Sequence, residues 1–221
     1  MIYPTIIMDD FFTEPEKIKN FSSKLKYFKD KDGKWPGKRS VPVHEIDYNF
    51  FNYFHLKILS ILYPNDYRKI SYTANACFQK ISGNRHQNPG WVHEDIGSEI
   101  TAIVYLSHHK NCGTSLWKKK NFFDSDSTAF EKHSFNKKES YNEEEKNLVN
   151  KHNSNFQKIL NVDSIYNRIV LFDSNQHHSA ENFLDQDIKE DRLTLITFIN
   201  KVVLNDETMH YPITECRRMD K

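Results

Sequence analysis

The stretch Arg192-Leu193-Thr194-Leu195-Ile196-Thr197-Phe198 continues apolar and β-branched to Val203, the longest apolar strand candidate in the chain. Its alternation puts Arg192, Thr194, Ile196 and Phe198 on one face. Further strands are predicted over Tyr72–Ile81, Glu99–Leu106 and Ile169–Phe172. Helical patterns precede them, and helices first with separated strands after is the order of an α+β chain, mainly β, with a sandwich or barrel as its core.

The first seventy residues read as a support layer for that sheet. Ile2–Met8 is a short strand candidate, followed by a turn in which Thr13 is an N-cap candidate and Pro15 falls at an early helical position. Apolar residues at Ile18, Phe21, Leu25 and Phe28 predict an amphipathic helix over Glu16–Phe28. Asp30–Gly37 is a loop, and Phe50–Leu62 a second helix that Pro64-Asn65-Asp66 stops. Lys118–Asn161 is polar, without clear core residues, and helical over roughly 142–160, so it reads as a surface insertion or lid. The expectation is one domain over 1–221, with supporting elements in 1–70 and the β core in 71–205.

Composition excludes several classes. With 38% hydrophobic and 28% charged residues the 221-residue chain reads as soluble and globular. Lys+Arg 31 against Asp+Glu 30 gives a net charge of +1, so no global field recruits nucleic acid or an anionic membrane. The three cysteines, Cys77, Cys112 and Cys216, are scattered and fit neither a disulfide framework nor a CxxC site, so reduced thiols in a cytoplasmic setting are expected. The start lacks a basic n-region, and no run of about 18 apolar residues spans a membrane.

Chemistry concentrates at His93-Glu94-Asp95. Side chains two apart on an extended segment share a face, so His93 and Asp95 converge. His178 lies downstream, beyond the Ile169–Phe172 strand. Two histidines and a carboxylate with open positions are the ligand set of non-haem Fe(II) oxygenases. Arg192 leads an otherwise apolar face, where a charge is expensive unless an anion pairs with it. That anion is either a neighbouring acid, Glu190 or Asp191, or a bound carboxylate gripped by two parallel hydrogen bonds with Thr194 adding a hydroxyl.

His93-x-Asp95, His178 and Arg192-x-Thr194 together resemble the pattern of Fe(II)- and 2-oxoglutarate-dependent dioxygenases, particularly the prolyl-4-hydroxylase-like branch. The resemblance implies a double-stranded β-helix (jelly-roll, cupin-like) core with N-terminal helices packed on one sheet. It also implies His93, Asp95 and His178 as iron ligands, and Arg192 with Thr194 as holders of the far carboxylate of 2-oxoglutarate. Tyr105 matches a family tyrosine that donates to the same carboxylate, with a core aromatic as the alternative. Gly113-Thr114-Ser115-Leu116-Trp117 resembles the turn and strand after that tyrosine. Strand parity lets only one of His177 and His178 face a metal; the following Ser179-Ala180 resembles the family pattern and favours His178.

The implied activity is hydroxylation of a C–H in a peptidyl or small-molecule substrate, releasing succinate and CO2, with ascorbate as an accessory reductant. By analogy alone, Gln79 is a cosubstrate contact and Trp35 and Arg39 are substrate contacts. His86 reads as a solvated loop residue and His108-His109 as an exposed turn. Two rivals remain: a jelly-roll binding module without turnover, and a metal-dependent hydrolase, which leaves Arg192 and Thr194 without a role.

Overall fold

The computed structural model describes residues 5–82, 88–120, 128–184 and 189–209, with only the backbone described over 128–131. His86, Cys216 and the beginning of the Ile2–Met8 strand lie outside the described residues. The elements in chain order are β1 (Ile6–Met8), α1 (Pro15–Ser23), β2 (Tyr27–Phe28), β3 (Lys38–Ser40), α2 (Val43–Ile46), α3 (Tyr48–Leu62) and β4 (Ser71–Ile81). There follow β5 (Ile100–Tyr105), β6 (Thr114–Lys119), α4 (Thr128–Asn136), α5 (Glu143–Asn153), β7 (Phe156–Val162), β8 (Ile169–Asp173), β9 (His178–Ala180), β10 (Arg192–Leu204) and β11 (Glu207–Met209).

The long C-terminal strand is the centre of the molecule. β10 pairs antiparallel with β4 on one side and β5 on the other, in a large sheet of order β1-β8-β5-β10-β4-β3-β2, with β11 folded back on β10. A smaller antiparallel sheet, β7-β6-β9, faces it. The chain is therefore α+β, mainly β, with the two-sheet core of a double-stranded β-helix.

The alternation of β10 sorts its residues between two layers. Leu193, Leu195 and Ile199 pack in the main hydrophobic core with Phe54, Ile58 and Leu59 of α3 and with Phe11, Phe78 and Val104. Arg192, Thr194, Ile196 and Phe198 face the other way, into a cavity between the sheets. A bulge between Ile199 and Lys201 then shifts the parity, which brings Val202 back into the helix-side core. β8 divides in the same way, Ile169 and Leu171 toward the helices and Val170 and Phe172 toward Leu116 and Val162 of the small sheet.

Three local expectations are corrected. α1 ends at Ser23 rather than Phe28, because Tyr27 and Phe28 pair with Ser40 and Arg39 at the edge of the large sheet. Edge pairing overrides the helical spacing of Leu25 and Phe28. Thr13 is not the cap: Glu14 precedes the helix without a side-chain cap bond, and Pro15 opens it. In the polar segment the helix stops at Asn153, and Phe156–Val162 is a strand against β6. That segment also has a small core of its own, in which Trp91 packs with Phe135, Tyr141 and Val149. An Asn142–Glu145 capping box starts α5.

A buried histidine ties α3 to the sheet. Nδ1–H of His55 donates to the Phe51 carbonyl at 2.7 Å, which leaves Nε2 to accept from the Thr197 hydroxyl at 2.7 Å. Burial pulls His55 down to about 4, the Phe51 bond opposing the shift and His44 adding to it. A depressed histidine binds its proton more readily unfolded than folded, so its contribution is complete above about 6.5 and is lost as the pH falls toward about 4. Urea titrations across that window are expected to show stability falling by up to about 1.4 kcal/mol per pH unit from this one group. In His55→Gln the slope decreases by about one proton; an unchanged slope contradicts the assignment.

Candidate metal centre

The two site histidines are brought together by backbone pairing. His93 and His178 form an antiparallel bridge, with His93 N–H donating to His178 O at 2.9 Å and His178 N–H to His93 O at 2.8 Å. Directly opposed residues of such a pair project to the same face, and their rings stand 4.3 Å apart, centroid to centroid. A Cβ at Gly90 would lie 2.3 Å from Ala180 O. Only glycine lets the segment leading to His93 approach β9 so closely.

Parity then separates the neighbours. His177 and Glu94 flip to the opposite face and meet each other, Nδ1 to Oε1 at 3.1 Å. Burial lowers His177 to about 4 and raises Glu94.

The donor atoms of the inward face are oriented. His93 Nδ1–H donates to Trp91 O at 2.7 Å and His178 Nδ1–H to Gln176 O at 2.9 Å, so each ring keeps its Nε2 lone pair for the site. Asp95 lies 3.8 Å from His93 Nε2 and 3.3 Å from His178 Nε2. Its own carboxylate accepts from Thr101 Oγ1 at 2.8 Å. Burial raises the Asp95 carboxyl, but the neighbouring His178, then His93 and Thr101, outweigh it and hold the group well below the usual carboxylate range. His93 is held well below the ordinary histidine value by burial, then by the charges of Lys132 and His178. One ligand atom from each of His93, Asp95 and His178 lies within 4.8 Å of the other two. Two imidazoles and a carboxylate with open space beside them suit a divalent first-row cation.

That space is a cavity of about 240 Å³. Arg192 and Thr194 form its floor beyond the histidines. Arg192 is buried and meets no carboxylate among the described residues: Nη2 donates to Cys112 O at 2.8 Å, while Nε and the buried Thr194 hydroxyl have no partner among them. Glu190 does not pair with it; that side chain meets Lys19 at 3.5 Å. Burial lowers the guanidinium from its ordinary value. Orphaned buried donors in a cavity wall fit a bound carboxylate.

Tyr105 is fully buried behind this floor, its hydroxyl 2.7 Å from Thr114 Oγ1, and Thr114 rather than Tyr105 lines the cavity. Gln79 lines it too, its Nε2 donating to Pro36 O at 2.7 Å and its Oε1 accepting from Arg39 at 3.3 Å. Trp35 and Arg39 are cavity residues. His109 is buried rather than exposed, with Nε2 2.8 Å from Glu190 O, while His108 is exposed and stacks on Tyr166.

Thr101 and Lys132 escaped the sequence reading as site residues. The first had a signal, a hydroxyl on the inward face of β5. Lys132 had none, because the polar segment around it shows no pattern that aims one lysine inward.

A profile for a family of unknown function (DUF6445) matches residues 3–199. The chain belongs to this family. A search of curated proteins found no match. Among solved structures, HygX from Streptomyces hygroscopicus, determined with nickel and 2-oxoglutarate bound, is similar at a TM-score of 0.53 and 12% identity, over 92% of this chain and 84% of that one. The non-haem α-ketoglutarate-dependent epimerase SnoN of nogalamycin biosynthesis is similar at 0.53 and 10%, over 90% and 77%. A prolyl 4-hydroxylase from Phytophthora capsici gives 0.45 and 15%, and this chain, covered over 88%, spans 58% of its length. The chain thus shares the double-stranded β-helix fold of HygX and SnoN.

Proposed function

We propose that this protein is an Fe(II)- and 2-oxoglutarate-dependent oxygenase that hydroxylates a C–H of a small-molecule or peptidyl substrate. The observation that carries the reading is a pairing of two features in one cavity. An oriented His93–Asp95–His178 triad stands beside a buried Arg192 Nε–H and Thr194 hydroxyl that have no partner among the described residues. In this reading His93 Nε2, Asp95 and His178 Nε2 hold iron, and Arg192 with Thr194 holds the far carboxylate of 2-oxoglutarate. When bound, iron would supply activation of dioxygen, the oxidant, with 2-oxoglutarate as co-reductant leaving as succinate and CO2 after taking one oxygen atom while the other goes to the substrate C–H.

The chain's own residues position and exclude. Trp91 O and Gln176 O fix the two imidazole tautomers, and Thr101 fixes the carboxylate, so the donor set is organised before a ligand arrives. Tyr105 acts through Thr114, holding its hydroxyl beside the anchor. α4, from the polar segment, contributes Lys132 and Asn136 to the cavity wall, where it acts as a lid that keeps water out.

A metal-dependent hydrolase leaves the Arg192–Thr194 pair unexplained, and a binding module has no need of so complete a donor set. The test is anaerobic addition of Fe(II) and 2-oxoglutarate, then oxygen. A weak visible charge-transfer band followed by succinate release is expected; no band and no succinate overturns the reading.

A further inference from the structure

The oxygenase reading, on which this inference rests, balances the inner half of the cavity. A divalent cation, Asp95, Arg192 and a 2-oxoglutarate dianion have formal charges that cancel. The outer half is left unbalanced. Arg39 and Lys132 both line the cavity, and among the described residues lining it Asp95 is the one carboxylate. The Arg39 guanidinium lies over the Trp35 ring at 4.5 Å and the Phe198 ring at 5.5 Å, and its polar contact is with the neutral Gln79, at 3.3 and 3.4 Å.

Lys132 stands near enough to sense both Asp95 and Arg39. Burial brings it down to about 8, Asp95 working against that shift and Arg39 with it, so it remains a cation at neutral pH. Like charges lining one cavity repel each other, and an anion entering between them relieves the repulsion. A third donor points to the same need: Trp35 lines the cavity, and its buried indole N–H has no acceptor among the described residues. Trp91, Phe183 and Phe198 add aromatic surface to the lining, beside the polar Lys34 and Asn136.

We propose that the substrate is a small organic anion with an apolar or aromatic body. Arg39, Lys132 and the Trp35 indole N–H hold its carboxylate or phosphate, and the body lies along the aromatic wall toward the metal centre. The charged end is thus bound at the outer wall, away from the anchor that takes the cosubstrate.

Calorimetry on the Ni(II)- and 2-oxoglutarate-loaded protein tests this with three probes of similar shape: 3-phenylpropanoate, phenethyl phosphate and the neutral 3-phenylpropanamide. At least one anion is expected to bind about tenfold or more tighter than the amide, the scale of one charge-assisted hydrogen bond. The preferred anion says whether the group is a carboxylate or a phosphate. Lys132→Gln and Arg39→Gln are each expected to shrink that margin, costing the anions more affinity than they cost the amide or 2-oxoglutarate. No preference for either anion, or a preference that survives both substitutions, overturns the proposal. So does a preference lost in Arg192→Met, because the anions would then be occupying the cosubstrate slot. If 2-oxoglutarate fails to bind while the preference persists and depends on Lys132 and Arg39, the oxygenase reading falls and the outer anion site stands.

Discussion

His178→Ala is expected to abolish high-affinity Fe(II) binding, whereas His177→Ala, one residue earlier, leaves it nearly unchanged. The two imidazoles are adjacent in sequence but lie on opposite faces of β9 and the turn before it. His178 pairs backbone to backbone with His93 and so shares its face. His177 meets Glu94 outside the site. Loss of even a residue that merely orients a metal ligand costs about 10–100-fold in affinity, so loss of one of three protein ligands is expected to cost more than about 100-fold. His177→Ala touches only the outer face, and a change within about twofold is expected. Anaerobic Fe(II) titration of the two variants, with circular dichroism to show that both are folded, decides the matter. Metal binding that survives His178→Ala and disappears in His177→Ala would reverse the assignment.

The fold and the site were legible to different depths. Period-two alternation is a local property, so the face carrying Arg192, Thr194, Ile196 and Phe198 could be read from β10 alone, and those residues do share the cavity. Strand parity also told that His177 and His178 must part company. Which of them meets His93 depends on a bridge between segments distant in sequence, and no local pattern contains it. The excess length given to α1 has the same origin: Leu25 and Phe28 fit a helix locally, but an edge strand claims Tyr27 and Phe28. His109 seemed a turn residue because its partner, the Glu190 carbonyl, comes from the far side of the chain. Lys132 was illegible for a stronger reason. The polar segment 118–161 carries many lysines, and only tertiary packing against the cavity singles one out.

Arg192→Met separates an anchor that waits for a ligand from an arginine that serves the fold. Breaking a buried ion pair by removing one partner costs about 3–5 kcal/mol, because a lone charge is left inside. Arg192 has no carboxylate partner among the described residues, so the substitution strands none of their acids; it removes a buried charge and one hydrogen bond to Cys112 O. Those changes oppose each other. The apo variant is therefore expected to differ from the parent by less than about 2 kcal/mol in denaturant unfolding. The ligand response should collapse instead. Two charge-assisted bonds to a carboxylate, at about 1.5–3 kcal/mol each, make a loss of about 100-fold or more in 2-oxoglutarate affinity. At a concentration near 100 Kd of the parent, the ligand stabilises it by about 2.7 kcal/mol. At that concentration the melting curve of Arg192→Met should barely move. A variant that unfolds outright would mark Arg192 as a structural residue, and one that still gains the full ligand-induced stabilisation would show that the cosubstrate carboxylate is held elsewhere.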